Sequence, residues 1–346
     1  MQNGISVYAG LGYDIENIVR VIEKSAELGL KKIFTSSQIP EVESEKFFED
    51  FAKIVSTAIS HDFEIILDVN PNNFSAFDFE GLTLRLDDGF TAAQIVELSL
   101  MRKIQLNAST ITNEFLTVLL NLGANFKNIS ALHNFYPHPL TGLDVEFFES
   151  QNKILHDFGI SVGAFVASRD GVKRPPLGEG LPTLEDCRNF SVDLAARFLA
   201  ALGTDFIIIA DGLPTDEECS ALAKISGNEV IMQAKFLTDD NTTQEILKNS
   251  FTRRPDVSKY VIRAIEGREF FKSTGGSIQP NNTVERNFGD VTIDNENFGR
   301  YCGEIQIVKE KIFSDLRVNV VAHILDEEIF LVNYIKPSQK FSFRFI

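Results

Sequence analysis

Eight short apolar runs, each followed by a helical pattern, are the feature that most limits what this chain can fold into. In order, the runs are GISVYAG, KKIFTSS, EIILDVN, LTLRLDD, KIQLNAS, ISALHNF, SVGAFVAS and DFIIIADG. Segments between them, such as DIENIVRVIEKSAELG and TNEFLTVLLNLG, carry apolar residues three and four positions apart, the period of a helix with one buried face. Apolar strands that alternate with such helices predict a parallel sheet covered by helices.

The number of these units favours one parallel architecture over another. Eight strand–helix units within about the first 230 residues fit a TIM (β/α)8 barrel, an α/β fold. An open doubly wound sheet is the main alternative, but it usually has fewer strands and often a glycine-rich phosphate loop, which YAGLGYD matches poorly. We therefore expect a TIM barrel over residues 1–235.

The pattern changes after residue 235. Shorter segments with alternating apolar residues follow, among them GDVTIDN, GEIQIV, RVNVVAHI and KFSFRFI, with Gly, Asn, Asp and Pro between them. Such segments predict a small β-rich domain, a compact barrel or a sandwich, over residues 236–346.

The charge balance excludes some classes of protein. The chain has a formal net charge of −16 and no long run of Lys or Arg, so we expect no nucleic-acid partner, and an anionic substrate would need a local basic cluster.

The start MQNGISVYAG does not have the pattern of a signal peptide, and no apolar run is long enough to span a membrane. Cys187, Cys219 and Cys302 are far apart and odd in number, which favours reduced thiols in a cytoplasmic protein. We expect no metal, because the histidines lack metal-ligand spacing, and we expect no cofactor.

The exits of the strands are where a TIM barrel carries its active site. Asp68, Asp87 and Asp211 end three of the runs, and Glu179 lies in the long loop after the seventh. Two carboxyl groups that face each other across a sugar can hydrolyse a glycosidic bond, one as acid and one as base or nucleophile. Each could instead cap a helix or pair with an arginine; Glu185 fits the first turn of a helix better than a catalytic position.

Candidate binding residues lie at the same exits. Arg169, Lys173 and Arg174 could form the anion site that a phosphorylated ligand needs, or simply a solvated loop. Arg85 lies two residues before Asp87 and therefore points the same way, either to keep that carboxylate ionised or to fill the barrel interior with a salt bridge. The remaining polar candidates are Asn107, His133, Asn134 and Tyr136. They could bind sugar hydroxyls or only fix their own loop.

The chain resembles a known bacterial family along essentially its whole length. The motifs that carry the resemblance are, in order, IFTSSQIPE, LRLDDGF, IQLNAS, HNFYPHPLTGL, GEGLPTLEDCR, RRPDVSKYVIR, GDVTIDNENFGRYCGEIQI and DLRVNVVAHI. Together they make the chain similar to the MupG-type 6-phospho-N-acetylmuramidases. The resemblance implies a TIM barrel followed by a small cyclophilin-like β domain. It also implies a cytoplasmic hydrolase of peptidoglycan recycling that cleaves N-acetylmuramic acid 6-phosphate from N-acetylglucosamine.

These expectations combine into a mechanism with open alternatives. Glu179, or another carboxylic acid of a loop, would protonate the leaving oxygen and Asp87 would act as nucleophile or base, unless the 2-acetamido group of the substrate attacks. Arg174 would bind the phosphate with Arg169 or Lys173. Further ligand contacts are expected from the second domain, through Arg300 or Arg317. The main alternative is a non-catalytic sugar-phosphate binding protein or sensor; a Schiff-base lyase or aldolase is disfavoured, since no strand exit carries a lysine. The oligomeric state and the stereochemical course stay open.

Overall fold

A computed structural model describes residues 1–37, 44–77 and 81–346 of the chain. Within the sequence motif IFTSSQIPE, residues 38–41 therefore lie outside the described ranges. The chain forms two compact units, Met1–Gly227 and Asn228–Ile346.

Eight parallel strands of the first unit close into a barrel in sequence order, and the eighth pairs with the first. Their bounds are β1 Gly4–Ser6, β2 Lys32–Ser36, β3 Glu64–Val69, β4 Leu82–Leu86, β5 Ile104–Asn107, β6 Ile129–Leu132, β7 Ser161–Val166 and β8 Phe206–Ile209. The strands are buried along nearly their whole length, as expected for a parallel sheet that is covered on its outer face.

Helices connect these strands. In the described ranges they are α1 Ile15–Glu27, α2 Ser44–Ser60, α3 Ala92–Met101, α4 Asn113–Asn121, α5 Val145–Asp157, α6 Val192–Ala201 and α7 Asp216–Ala223. Between β3 and β4 the described chain has a short 3-10 turn, Phe74–Phe77. Two helix starts are set by capping boxes, Thr91 with Gln94 before α3 and Thr215 with Glu218 before α7. In each box the threonine hydroxyl accepts a backbone N–H that the helix leaves unpaired.

The second unit is a seven-stranded sheet with two helices in the described chain. The strands are β9 Val230–Phe236, β10 Phe251–Thr252, β11 Val261–Arg263, β12 Asp290–Asp294, β13 Ile305–Val308, β14 Val318–Ile324 and β15 Lys340–Phe345, and the helices are α8 Asn241–Leu247 and α9 Gly267–Thr274. The strand order is β10-β15-β9-β14-β12-β13-β11. All neighbours are antiparallel except β15 and β9, which are parallel.

The predicted fold class is confirmed: a closed eight-stranded parallel barrel precedes a separate β-rich unit. Strand β9 pairs with β14 and β15, so the second unit begins a few residues before the boundary expected after residue 235. The apolar run of β9 looks like a further barrel strand in sequence, and only its pairing partners place it in the second sheet. Among the described residues, no helix has both the length and the apolar character needed to cross a membrane.

Candidate active site

A cavity of about 290 Å³ opens at the C-terminal end of the barrel strands. Four of the predicted site residues that line it are polar and come from three neighbouring strand exits, β3 to β5: Asp68, Arg85, Asp87 and Asn107. Asn134, which follows β6, completes the polar wall. The structure therefore brings five of the predicted residues to one place, where the exits of a TIM barrel form its active site.

Arg85 is the centre of this polar wall. Its side chain projects from β4, and its Nη1 donates to the Oδ1 of Asp68 on β3 at 2.6 Å. The other terminal nitrogen, Nη2, donates to the Oδ1 of Asn134. Asp87 lies further out, with its Oδ1 at 4.0 Å from Nη1 of Arg85. One guanidinium thus links β3, β4 and the loop after β6, while its charge faces two carboxyl groups.

The two carboxyl groups lie in different surroundings. The side chain of Asp68 is 13% exposed and that of Asp87 is 37% exposed. Burial raises the pKa of Asp68 above its ordinary value, although the charge and hydrogen bond of Arg85 act in the opposite direction. Ser36, on β2, also donates to Asp68, at 3.3 Å. Two carboxyl groups in unlike environments at one cavity can divide acid and base roles between them.

Aromatic rings form the opposite wall of the cavity. The rings of Phe34, Phe135 and Phe165 pack edge to face, with centroid distances of 5.1 to 6.2 Å. The guanidinium of Arg174 lies over the rings of Phe135, at 5.4 Å, and Tyr8, at 4.9 Å. The cavity therefore has an apolar face suited to a sugar ring and a cation beside it.

Asp211 holds the loop that carries Arg174. Its carboxylate is fully buried and accepts the backbone N–H of Ser168 at 2.9 Å and that of Arg174 at 3.2 Å. Glu218 fixes the same loop from α7, since it accepts the hydroxyl of Ser168 at 2.8 Å and the N–H of Arg169 at 2.6 Å. Asp211, expected from the sequence as a catalytic candidate, is thus placed as a residue that positions the loop.

His133 is sealed inside the barrel wall. Its side chain is 0% exposed, with Nδ1 at 3.2 Å from the hydroxyl of Ser109 and Nε2 at 2.9 Å from the amide oxygen of Asn152. Burial lowers the pKa of His133 to about 4. A neutral ring with both nitrogens occupied orders the start of the loop after β6, where the sequence suggested a contact with the ligand.

Glu185 and Arg188 hold the rest of that loop. Glu185 accepts the backbone N–H groups of Leu140 and Gly142 at 2.9 and 2.8 Å and pairs with Arg188 at 2.7 Å. The hydrogen bond from Arg188 lowers the pKa of Glu185 to about 2. Arg188 also donates to the carbonyl of Tyr136, whose own N–H donates to Pro182, so the described contacts of Tyr136 are made by its backbone.

The other predicted site residues are more dispersed. Glu179 is exposed in the loop after β7, Arg169 is exposed and donates to the carbonyl of Asn189, and Lys173 is half-buried. In the second unit, Arg317 pairs with Asp315 at 2.7 Å, and Arg300 donates to the hydroxyl of Tyr301 at 2.9 Å. None of these residues lines the 290 Å³ cavity among the described residues.

Sequence reasoning missed several residues that shape the site. Thr110 lines the cavity and was not expected from the sequence, whereas Asp88, which also lines it, lies at the same strand exit as Asp87 in LRLDDGF. Glu218 belongs to the capping box T-x-x-E that begins α7, a pattern that announces a helix start but not the loop contacts. Across the described ranges, no group of three or more His, Cys, Asp or Glu residues is arranged to hold a metal ion.

The fold and this cavity define a class: a TIM barrel with a carboxyl pair at the strand exits, the arrangement that glycoside hydrolases use. Comparison with family models shows which glycosidase family the chain belongs to. Residues 3–224 match the model described as 6-phospho-N-acetylmuramidase, N-terminal, and residues 230–344 match the C-terminal model of the same name. The chain belongs to the 6-phospho-N-acetylmuramidase family, which is a family of glycosidases, and the resemblance seen in the sequence motifs is confirmed.

Two solved structures are similar along the whole chain. An uncharacterized B. cereus protein is 28% identical, with a TM-score of 0.87 and 99% of each chain covered. A conserved protein of unknown function from Enterococcus faecalis is 30% identical, with a TM-score of 0.67, and the match covers 100% of this chain and 96% of that one. A search of curated proteins finds no match.

Proposed function

We propose that this protein hydrolyses the glycosidic bond between N-acetylmuramic acid 6-phosphate and N-acetylglucosamine at the C-terminal mouth of its barrel. The observation that carries the proposal is the convergence of Asp68 and Asp87, from neighbouring strands, on one cavity with Arg85 between them. Membership of a family named for a phosphorylated muramic acid supports the choice of substrate.

The chemistry requires an acid and a base or nucleophile on either side of the bond. The bond between the anomeric carbon and the bridging oxygen breaks, the bridging oxygen takes a proton, and a water supplies the new hydroxyl on the anomeric carbon. We assign these roles to the pair Asp68 and Asp87. Glu179, the acid expected from the sequence, does not line the cavity in the described structure, so Asp68 replaces it in the proposed pair.

Arg174 is the proposed phosphate ligand. Its guanidinium lies beside the aromatic wall of the cavity, and its Nε is buried without a hydrogen bond among the described residues. A buried guanidinium N–H gains most from an anionic acceptor, since an unmet donor has already lost its water. The loop contacts of Asp211 preset the backbone at this position, so little reordering is needed when the ligand arrives.

We also place the reaction in the cytoplasm, in peptidoglycan recycling. A sugar phosphate carries up to about two negative charges near neutral pH and does not cross a bilayer unaided. An enzyme that needs this phosphate therefore works in the compartment where the sugar is phosphorylated. We expect the phosphorylated disaccharide to accumulate inside cells that lack the protein, and measuring its amount in cell extracts tests this point.

The test compares cleavage of the phosphorylated and unphosphorylated disaccharides by the wild type, Asp68→Asn and Asp87→Asn. We expect the wild type to prefer the phosphorylated substrate and each variant to lose about 100- to 10,000-fold in kcat/KM, the usual contribution of a general acid or base. Asp157→Asn is the matched control, because Asp157 is an exposed carboxylate in an ion pair on α5.

Two outcomes would overturn parts of the proposal. Near-normal cleavage by both variants contradicts the carboxyl pair. Tight binding of the phosphorylated disaccharide without any cleavage by the wild type favours the sugar-phosphate binding protein instead. The variant Glu179→Gln decides whether Asp68 or Glu179 acts together with Asp87. It keeps its activity if Asp68 and Asp87 are the catalytic pair.

A further inference from the structure

A second cavity, of about 340 Å³, lies beside the first. It is formed between the loop after β4 and the loop after β5, together with the first turns of α3 and α4. Its walls are mainly apolar and come from Leu86, Phe90, Ile95, Leu106, Ile111 and Phe115. The volume lies at the small end of the range for ligand pockets, about 300–1,000 Å³, which is room for one small ring system.

The two cavities share a wall. Asp87, Asp88, Asn107 and Thr110 line both of them. A ligand that fills both cavities must pass these four residues at the junction. A bond that joins two sugar rings, one in each cavity, then lies next to the carboxyl group of Asp87, which is where the proposed chemistry needs it.

Charge decides which half of the substrate belongs in which cavity. The muramic half carries a phosphate and a carboxylate, whereas the N-acetylglucosamine half is neutral. Of the described residues that line the second cavity, none is Lys or Arg, and two are aspartates. The same two aspartates line the first cavity, which also holds Asp68 paired with Arg85 and has Arg174 beside its aromatic wall. The aspartates are common to both cavities, so the two arginines make the difference. Opposite charges attract strongly in a partly buried site, so the anionic half is favoured in the first cavity and the neutral half in the second.

The lining also suits an acetamido sugar. The apolar side chains can cover the acetyl methyl group and the apolar face of the ring, while the amide of Asn107 and the hydroxyl of Thr110 offer hydrogen-bonding groups at the junction. Oδ1 of Asn107 already accepts the N–H of Ser109 at 3.0 Å, which fixes the orientation of the amide.

We propose that the second cavity is the subsite for the leaving N-acetylglucosamine, so that the disaccharide lies across Asp87 with its phosphate end towards Arg174. This inference rests on the proposed function for the identity of the substrate. The location of the neutral sugar follows from the charges and walls of the two cavities.

The experiment measures binding of each product by ligand-observed NMR, with saturation transfer to the acetyl methyl groups of N-acetylglucosamine and of N-acetylmuramic acid 6-phosphate. The variant Ile111→Phe fills part of the second cavity. We expect it to weaken N-acetylglucosamine binding at least about 10-fold, equal to about 1.4 kcal/mol, and to leave the phosphorylated sugar unaffected. Ile59→Phe, at an exposed isoleucine of α2, is the matched control and should change neither.

A second variant tests the charge argument without altering the core. Asp88→Lys changes an exposed residue at the junction, so the fold is expected to persist. We expect the phosphorylated sugar to displace N-acetylglucosamine from this variant at a concentration several-fold lower than from the wild type.

The outcomes separate the two proposals. Unchanged N-acetylglucosamine binding in Ile111→Phe, or unchanged displacement in Asp88→Lys, overturns the subsite. Absence of disaccharide cleavage overturns the proposed function, yet the loss of N-acetylglucosamine binding in Ile111→Phe would still support the subsite. A third outcome is that the wild type cleaves the disaccharide but N-acetylglucosamine and the phosphorylated sugar compete for the first cavity. This result supports the proposed function and contradicts the subsite.

Discussion

Each end of the barrel pairs a carboxylate with a cation, but the surroundings shift the pKa values of the two carboxyl groups in opposite directions. At the C-terminal mouth, burial outweighs Arg85 and the pKa of Asp68 is raised. At the N-terminal end, Glu64 lies 2.5 Å from Nζ of Lys32 and accepts the hydroxyl of Thr83 at 2.8 Å. There burial also pushes the pKa upwards, but these partners outweigh it and hold the pKa of Glu64 below its ordinary value.

The larger cavity lies at the N-terminal end, with about 670 Å³ against 290 Å³ at the mouth. Its two carboxylates lie close to lysines, since Lys31 lies 3.5 Å from Asp62 and Lys32 pairs with Glu64, and Arg102 and Lys103 add two further cations to the lining. At the mouth, by contrast, the side chain of Asp87 is 37% exposed on the cavity, and its Oδ1 lies 4.0 Å from Nη1 of Arg85, further than Asp68 does. The comparison teaches that a carboxyl group exposed on a cavity indicates the site better than the volume of the cavity does.

The largest expected contrast comes from removing the cation at each end. Arg85→Gln leaves the buried carboxyl group of Asp68 without its ion-pair partner. We therefore expect the free energy of unfolding to fall by about 3–5 kcal/mol and cleavage to be lost. Lys32→Gln should lower the free energy of unfolding by roughly 1–3 kcal/mol, because it removes a charged hydrogen bond, and leave cleavage within about twofold. Denaturant titration and initial rates measure both quantities; equal losses of activity in the two variants would contradict the division between the ends.

A smaller effect is expected from the cation beside the mouth. Arg174→Met should lower kcat/KM for the phosphorylated disaccharide by about 10- to 100-fold, since a hydrogen bond to a charged group contributes roughly 1.5–3 kcal/mol. The unphosphorylated disaccharide should be cleaved at an unchanged rate. Lys103→Met, at the N-terminal cavity, is the control for loss of one positive charge and should alter neither substrate. Equal losses on both substrates would show that Arg174 does not bind the phosphate.

The smallest effect is the pH dependence of stability, which should differ in sign between the ends. Because the pKa of Glu64 is lowered in the folded chain, its pair stabilises the fold above the ordinary pKa of 4.5, and this contribution is lost as the pH falls through the folded-state pKa. The pKa of Asp68 is raised, so its contribution is present below the ordinary 3.8 and lost as the pH rises through the folded-state value.

Urea unfolding of the two carboxyl variants at a series of pH values measures this difference. The gap in unfolding free energy between Glu64→Gln and the wild type should narrow as the pH falls. The gap between Asp68→Asn and the wild type should narrow as the pH rises. Parallel curves would show that burial does not separate the two carboxyl groups.

The strands of the barrel could be predicted because buried parallel strands are apolar along their length, and each exit is marked by the first polar residue after the run. Asp68 and Asp87 were found in this way. The same rule could not predict that the carboxylate of Asp211 accepts backbone N–H groups of the loop after β7. That contact depends on where residues 168–174 turn back. His133 was misleading for a similar reason: its partner Asn152 lies on α5, at a distance in sequence that no local pattern encodes.

The aromatic wall and the second cavity were beyond sequence reasoning. Phe34 and Phe165 are inward-facing residues of ordinary strands, and nothing in the order of residues distinguishes them from core phenylalanines. The second cavity depends on the spacing of two loops and two helices, which is set by packing. By contrast, the β-rich unit was predictable as a class from its alternating segments, while the parallel pair β9 and β15 was not, since its strands are far apart in sequence.

Arg85 hydrogen-bonds at once to Asp68 and Asn134, from strand exits that are not adjacent. Substitutions at these three positions are therefore expected to be non-additive, with the double variants showing interaction energies of about 0.5–3 kcal/mol. Over evolutionary time this favours joint replacement: among related sequences, a change at one member of the trio should be accompanied by changes at the other two.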